Sequence, residues 1–351
     1  MAVVRSRQGN CGDQTKCYSA QIWADFRKYE RFGGKLHIKE FSKLAGWTKK
    51  KGNWVKVVPK AMRRAMTDAT TGVLDVGTIE TAREADAEAI ALIASEIGVQ
   101  EARLVEANAK LASTKPTKKA ENDRRIATNK IGAGKKKLED MASPVPADGI
   151  DRIWPGHFAP VLIRDPESGE RMVVPMRYRC RLPGWTEADE IERPGTYNAR
   201  RDKLSTVWRK VFGHNHGIMV VDRFYESVYL HDLQQRPLVP GEREQNVEIL
   251  FTPSSGEDLF VACLWTYIEA AGEDPGFYTF AAITDDPPLE VVEAGHDRCP
   301  VPIHEDDIDA WLNPNPNDLP NLYAILDRRV RPLYEHQIAK QEARCFPTAN
   351  T

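Results

Sequence analysis

The sequence predicts an α+β protein built on a twisted, mostly antiparallel sheet that curls toward a barrel, with flanking helices and an inserted helical hairpin. Short apolar runs broken by Pro, Gly and Asp fill the second half of the 351-residue chain. Such spacing is typical of antiparallel strands that close on themselves. The runs lie at 159–163, 172–175, 217–222, 248–251, 259–265 and 278–284.

The segments on either side of this region have helical periodicity. Apolar residues at three- and four-residue spacing predict a helix over 20–32, which Gly33 and Gly34 end. Shorter helices are expected at 38–44 and 59–66. Near the C-terminus the pattern predicts helices at 306–312 and from Leu319 to about Ala343.

The inserted hairpin is predicted over about 70–142. Aromatic residues are absent from 79–141, where Ala, Glu, Lys and Arg dominate and an apolar stripe has heptad-like spacing. Pro116 separates the two helices, and Pro144 and Pro146 end the insert. The segment 115–137 contains nine basic residues and only two acidic ones. Such a surface is either a solvated helical face or a contact for DNA or another partner.

Composition narrows the class of protein. Apolar content of 41% and charged content of 28% are those of a soluble globular protein. The net charge of -2 gives weak overall attraction to nucleic acid, so DNA contacts must come from local basic patches. No apolar run is long enough for a membrane span, and the first residues lack a secretory pattern. Six dispersed cysteines without CxxC spacing indicate a reduced, cytoplasmic protein without bound metal or cofactor.

Four segments carry polar and reactive side chains in a characteristic order. They are 16–21 (KCYSAQ), 195–200 (GTYNAR), 221–226 (VDRFYE) and 295–300 (GHDRCP). With the strand at 262–265 (ACLW) and the segment 176–185 (MRYRCRLPGW), this order resembles the SOS response-associated peptidase family, the abasic-site-processing proteins. The resemblance covers about 17–50 and 150–315. It divides the chain into an extension, 1–16, and a family-like domain, 17–351, that carries the hairpin.

The resemblance implies a protein that binds single-stranded DNA and crosslinks to an abasic site through an N-terminal cysteine, here Cys17. The chemistry can also be built from the residues. The amine of an N-terminal Cys forms a Schiff base with the sugar aldehyde, and its thiol closes a thiazolidine. An α-amine has a pKa about 2.5 units below that of Lys, so far more of it is unprotonated at neutral pH. Loss of water then needs a proton donor and acceptor.

Candidate site residues follow from this chemistry. Glu226 is the candidate acid–base group, a role that the resemblance also implies, and His296 is a candidate proton relay. Asn198 can orient the amine or the sugar. Candidate DNA-binding residues are Arg200 and Arg298, which suit phosphates, and Trp185, which can stack on bases; Tyr225 and Trp265 could also stack, although Trp265 fits the core better.

The sequence departs from the family pattern at its start. Sixteen residues precede Cys17, and an internal cysteine has no free α-amine. Three explanations are open: a later true start, an artefactual extension, or cleavage before Cys17, in keeping with the self-cleavage after which the family is named. Cys11, followed by Gly, is an alternative nucleophile, but the Cys17 segment fits better. Cys299 stands where the family has Met.

Other functional classes remain alternatives. A permanently internal Cys17 would leave a non-covalent single-strand-binding module. A Cys17 thiol with His296 as base would make a cysteine-type autopeptidase that does not act on DNA. Under the main interpretation, that of an abasic-site-processing protein, we expect both peptidase (hydrolase) and lyase activity. His214 and His216 invite a metal interpretation, which the absence of a further ligand at motif spacing disfavours. We expect a monomer in the cytoplasm that associates with the nucleoid when bound to DNA.

Overall fold

The computed structural model describes residues 19–70, 72–144 and 149–339. The extension 1–16, Cys11 and Cys17 lie outside the described residues, so their roles stay predictions. The strands are β1 (Ser19–Trp23), β2 (Lys35–Leu36), β3 (Ile150–Ile153), β4 (Phe158–Arg164), β5 (Arg171–Tyr178), β6 (Asn198–Arg200), β7 (His216–Tyr229), β8 (Asn246–Pro253), β9 (Leu259–Ile268), β10 (Phe277–Asp285), β11 (Cys299–Pro300), β12 (Pro302–Ile303) and β13 (Tyr334–Ile338).

The α-helices lie mostly before and after the main strands. They are α1 (Ile38–Lys50), α2 (Trp54–Val57), α3 (Lys60–Thr67), α4 (Val76–Leu111), α5 (Lys118–Ala142), α6 (Glu187–Glu192), α7 (Leu230–Leu233), α8 (Leu289–Glu293), α9 (Ile308–Trp311) and α10 (Leu319–Asp327). Shorter 3₁₀ helices span Phe26–Phe32, Arg201–Lys203 and Glu305–Asp307.

Five of the described strands close into a barrel in the order β7, β9, β10, β5, β4 and back to β7. All of these neighbours are antiparallel except the parallel pair β5–β10. Six of the seven residues of β4 are buried, so both of its faces are covered. This explains why the barrel strands are continuous apolar runs in the sequence and do not alternate. The predicted fold class is confirmed.

Strand β7 is long enough to serve two parts of the sheet. Its first half pairs with β4 and β9 in the barrel, and its second half continues into an arm where it pairs with β1 and β8. Strands β3 and β13 complete this arm on either side. The arm therefore presents residues at the end of β7 outside the closed barrel.

The helix predicted over 20–32 is wrong in its first half. Ser19–Trp23 is a strand, and only Phe26–Phe32 is helical, as a 3₁₀ helix. Both β3 and β7 offer hydrogen-bonding edges to β1, and these distant partners outweigh a local periodicity that a helix would also satisfy. Gly33 does end the helix, with a φ of 69° and its N–H donated to the Glu30 carbonyl.

The predicted C-terminal helix is also too long. Helix α10 stops at Asp327, and Tyr334–Ile338 forms β13 against β8. Pro332 lies between them, and a proline disfavours helical conformation in the residue before it. The remainder of the prediction, from residue 340, lies outside the described residues.

The helical hairpin is formed by α4 and α5. Asp75 caps α4 by accepting the Thr78 N–H at 2.9 Å, and Thr117 caps α5 by accepting the Ala120 N–H at 3.2 Å. The helices approach closely at Gly134, where a Cβ would lie 2.7 Å from the Ile97 side chain. Even α4, 36 residues long, carries too many charged side chains to cross a bilayer, and none of the other helices in the described ranges is long and apolar enough to do so.

Candidate functional site

A carboxylate and an imidazole form a buried pair where β7 leaves the barrel. Glu226 lies in the second half of β7, and its Oε2 is 3.2 Å from Nε2 of His296. Only 3% and 6% of the two residues are exposed. Nδ1 of His296 lies 2.9 Å from the Arg298 carbonyl oxygen and 3.4 Å from the Arg298 N–H. A carboxyl group and an imidazole in contact at hydrogen-bond distance can pass a proton between them, as an acid–base pair requires.

A loop with a required glycine brings the imidazole to this position. Helix α8 ends shortly before Gly295, whose φ is 91°. A Cβ at Gly295 would lie 2.9 Å from Cβ of Asp232, so glycine also permits close packing against α7. The His296 N–H donates to the Val291 carbonyl at 3.1 Å and ties the loop back to α8.

A cleft of about 640 Å³ opens beside the pair and reaches His296. Its wall includes three aspartates, Asp232, Asp286 and Asp297, and the cation Arg236. Arg236 is held by two hydrogen bonds to Glu242. Charged side chains thus border the approach to the imidazole, and the cleft gives a small group a route to it.

Strand β6 brings Asn198 and Arg200 to the same end of the barrel. It pairs with Ala282–Thr284 of β10, and β11, three residues after His296, pairs with Thr284 and Asp285 of β10. Oδ1 of Asn198 is buried and has no hydrogen-bond partner among the described residues. A buried amide oxygen of this kind calls for a donor that the described residues do not supply, such as an ordered water or a bound group.

Arg200 is exposed and lies in the field of the cleft. Its guanidinium donates to Asp202 at 2.7 Å, and this bond raises its pKa, with smaller contributions from Asp297 and Asp286. The proposed DNA-binding residue Arg298 is partly exposed, with Nη2 3.7 Å from Asp297. Both arginines therefore lie near aspartates that also line the cleft.

Of the three aromatic candidates, one side chain is partly exposed to solvent and two are buried. Trp185 is partly exposed before α6, with the guanidinium of Arg193 4.9 Å from its ring centroid. Trp265 is buried and its Nε1 donates to the His216 carbonyl at 3.0 Å, which confirms a core role. Tyr225 is buried under Arg152, whose guanidinium carbon is 3.5 Å from its ring centroid, so the stacking role suggested for it is wrong.

The metal interpretation of the two histidines is wrong for His216. This side chain is 2% exposed, and both of its ring nitrogens are used: Nε2 accepts the Gly213 N–H, and Nδ1 faces the Trp311 carbonyl. Burial lowers its pKa to about 3. Across 19–70, 72–144 and 149–339, no three His, Cys, Asp or Glu side chains are grouped to hold a metal ion.

The described cysteines are buried, as expected. Burial raises the pKa of Cys180 to about 11 and also raises the pKa values of Cys263 and Cys299. Because a thiolate is the reactive form, these three side chains are poor nucleophiles.

Sequence reasoning missed Arg152, which holds the start of β1. Its guanidinium donates to Ser19 Oγ at 2.8 Å and pairs with Glu248 on β8, while it covers Tyr225. It thereby joins β1, β7 and β8 next to Glu226. A single arginine within a strand carries no motif, so only the register of the three strands identifies it.

Fold and site together define an α+β barrel protein with a buried carboxylate–imidazole pair at the end of a long strand. The chain belongs to the SOS response-associated peptidase (SRAP) family, whose family model matches residues 122–341, more than half of the chain. Membership supports a DNA-damage-associated role, since the family is linked to abasic-site processing. A comparison with curated proteins gives no match.

Solved structures of limited similarity include two from Bordetella bronchiseptica and one from Bacteroides thetaiotaomicron. The first Bordetella protein is 21% identical, with a TM-score of 0.41 over 57% of this chain and 90% of its own. The Bacteroides protein is 15% identical, with a TM-score of 0.41 over 54% of this chain and 78% of its own. The second Bordetella protein, described as phage-related, is 17% identical, with a TM-score of 0.41 over 57% and 87%.

Proposed function

We propose that this protein captures abasic sites in single-stranded DNA as a covalent thiazolidine on Cys17, after the Lys16–Cys17 bond has been hydrolysed. The freed amine adds to the C1 aldehyde of the ring-opened sugar and gives a carbinolamine. Loss of water forms the Schiff base. The Cys17 thiol then adds to the imine carbon, and its proton passes to the nitrogen, so the complete reaction releases one water.

The buried Glu226–His296 pair is the observation that carries this proposal. Loss of water from the carbinolamine needs an acid for the leaving hydroxyl and a base for the nitrogen, and this pair places two groups that can fill those roles at hydrogen-bond distance. Its burial keeps bulk water from competing for that proton.

The register of β1 supports the choice of nucleophile. Ser19 lies opposite Tyr225, the residue before Glu226. Ser19, the first described residue of β1, therefore lies beside the part of β7 that carries Glu226, and Arg152 holds it there.

The remaining candidate residues fit a DNA strand at this end of the barrel. The orphan Oδ1 of Asn198 can accept a hydrogen bond from the attacking amine or a sugar hydroxyl. Arg200 and Arg298 can bind the flanking phosphates, and the partly exposed Trp185 can stack on a base.

A gel assay with an abasic single-stranded oligonucleotide tests the proposal. Protein that begins at Cys17 should give a heat-stable adduct with the combined mass of protein and DNA less one water. The matched Cys17→Ser variant keeps the amine and should give only an adduct that borohydride must trap. Glu226→Gln preserves shape but removes the acid–base function, and should slow adduct formation about 100-fold.

The state of the N-terminus decides between the functional classes. Measurement of the intact mass shows whether residues 1–16 are present. Protein that retains them should form no stable adduct, because its Cys17 nitrogen is part of a peptide bond. Equal adduct yield from the uncleaved protein, or from Cys17→Ala, would overturn the nucleophile assignment. Retained DNA binding without any adduct would indicate a non-covalent single-strand-binding module.

A further inference from the structure

Three arginines converge on one buried carboxylate between β5 and α6. Arg177 Nη2 lies 2.6 Å from Glu190 Oε1, and Arg181 Nε lies 2.7 Å from Oε2. Arg179 Nε is 3.3 Å from Oε1, and its Nη2 donates to the Glu190 backbone carbonyl. We name Arg177, Arg179 and Arg181 the arginine cluster.

The arginine cluster holds more positive charge than Glu190 can neutralise. Glu190 is 2% exposed, whereas the three arginine side chains are 16–27% exposed. Burial lowers the pKa of Arg177, and the positive charges of Arg181 and Arg179 lower it further. Nε of Arg177 is buried without an acceptor among the described residues. An added anion would relieve this repulsion.

The other acidic side chains of α6 do not replace that anion. Glu187 and Glu192 are exposed, where solvent and salt screen them. Asp189 is engaged in a capping box with Thr186 at the start of the helix. Glu190 is thus the acidic side chain of α6 that faces the cluster.

Backbone hydrogen bonds hold the cluster in place despite a strained residue at its centre. Arg179 has a φ of 152°, a conformation that favours glycine, and its N–H donates to the Phe280 carbonyl at 3.0 Å. The next N–H, of Cys180, donates to the Thr196 carbonyl at 2.9 Å. Because Thr196 is two residues before Asn198, these bonds fix the cluster beside the β6 segment of the candidate site.

An aromatic ring completes the surface. The Trp185 N–H donates to the Leu182 carbonyl at 3.0 Å, so Arg181 and Trp185 lie on consecutive parts of one turn. Guanidiniums next to a partly exposed indole match the phosphate and base of a nucleotide, the combination that single-strand-binding surfaces use.

We propose that the arginine cluster binds a backbone phosphate of the DNA strand next to the captured sugar. This inference rests on the proposed function for the identity of the strand. Guanidiniums bind phosphate oxygens through paired N–H donors, and the buried Glu190 holds three of them ready in one place. The cluster sets the path of the strand from Asn198 toward Trp185.

Binding of a labelled, undamaged single-stranded oligonucleotide tests this inference. Arg179→Gly removes one guanidinium at a position whose φ suits glycine, and Arg181→Gln removes another. Each should weaken binding about tenfold at low salt. Each should also reduce the slope of log K against log salt concentration by about 0.7 for each phosphate that the variant no longer binds. Arg171→Gln, at the opposite end of β5 and paired with Asp309, is the matched control and should bind as the parent does.

The outcomes separate this inference from the proposed function. If Arg179→Gly and Arg181→Gln melt like the parent and bind undamaged DNA with the affinity and salt slope of the parent, the cluster is structural. The inference then fails, and the proposed covalent function is not affected. If they bind more weakly while the parent forms no adduct with abasic DNA, the cluster assignment stands and the covalent function fails. Should Arg179→Gly not fold, Arg181→Gln decides the question by the same measurements.

Discussion

His216 should make the protein lose stability as the pH falls. Its Nε2 accepts the Gly213 N–H at 2.9 Å, and its Nδ1–H donates to the Trp311 carbonyl at 3.1 Å. Its ring centroid is 4.0 Å from that of Trp311. A proton on Nε2 would face the Gly213 N–H inside the core. The folded protein therefore resists protonation, and the pKa of His216 is lowered to about 3, mainly by burial.

The magnitude follows from the two pKa values. An unfolded histidine titrates near pH 6.5, so between pH 6.5 and about 3 the unfolded chain binds more protons than the folded one. The stabilisation is complete above pH 6.5 and is lost as the pH falls. At pH 5 the loss is on the order of 2 kcal/mol, at about 1.36 kcal/mol for each pKa unit. Burial also lowers the pKa of His157, to about 4, which adds a loss of the same sign.

Urea unfolding at pH 8 and pH 5 measures this effect. His216→Gln replaces the ring with an amide that does not titrate, and is expected to be less stable than the parent at pH 8. Its change in the free energy of unfolding between the two pH values should be smaller than that of the parent by about 2 kcal/mol. His304→Gln alters an exposed histidine and is the control. Equal pH dependence of the parent and His216→Gln would refute the reasoning.

Two further predictions concern buried polar groups of the barrel. The Tyr29 hydroxyl donates to the Pro160 carbonyl at 3.2 Å and accepts the Val220 N–H at 3.1 Å, so it joins β4 to β7. Tyr29→Phe should lower the free energy of unfolding by about 1–3 kcal/mol in urea, and an unchanged value would contradict this bridging role. The Cys180 thiol has a pKa of about 11, so it should react with iodoacetamide at pH 8 far more slowly in the native protein than in the unfolded protein. Peptide mass spectrometry measures the two rates, and equal rates would show that the thiol is accessible in the native protein.

The strands of the barrel could be predicted because burial on both faces leaves a direct mark in the sequence. The apolar runs at 159–163, 259–265 and 278–284 lie within β4, β9 and β10. The helical hairpin could be predicted equally well, since helix periodicity, caps and the break at Pro116 are local features. The barrel strands and the hairpin both depend on residues that are neighbours in the sequence, so the sequence contains the information needed to predict them.

Strand β1 and strand β13 could not be predicted in the same way. Ser19–Trp23 and Tyr334–Ile338 are strands because β7 and β8 present free edges to them. Their own spacing of apolar residues fits a helix as well. A strand such as β1, whose partner β7 lies far away along the chain, gains its hydrogen bonds only after folding.

For the candidate site, too, some features follow from the sequence and others only from the tertiary structure. By itself, the sequence identified the candidate side chains for the proposed chemistry and their order along the chain: Cys17, Asn198, Glu226 and His296. Only the tertiary structure decided that Glu226 and His296 lie 3.2 Å apart, that Arg152 holds the start of β1 beside them, and that Tyr225 is covered. The reason is that side-chain identity is local, whereas the distance between residues far apart in the chain is set by strand register and by what packs between the strands.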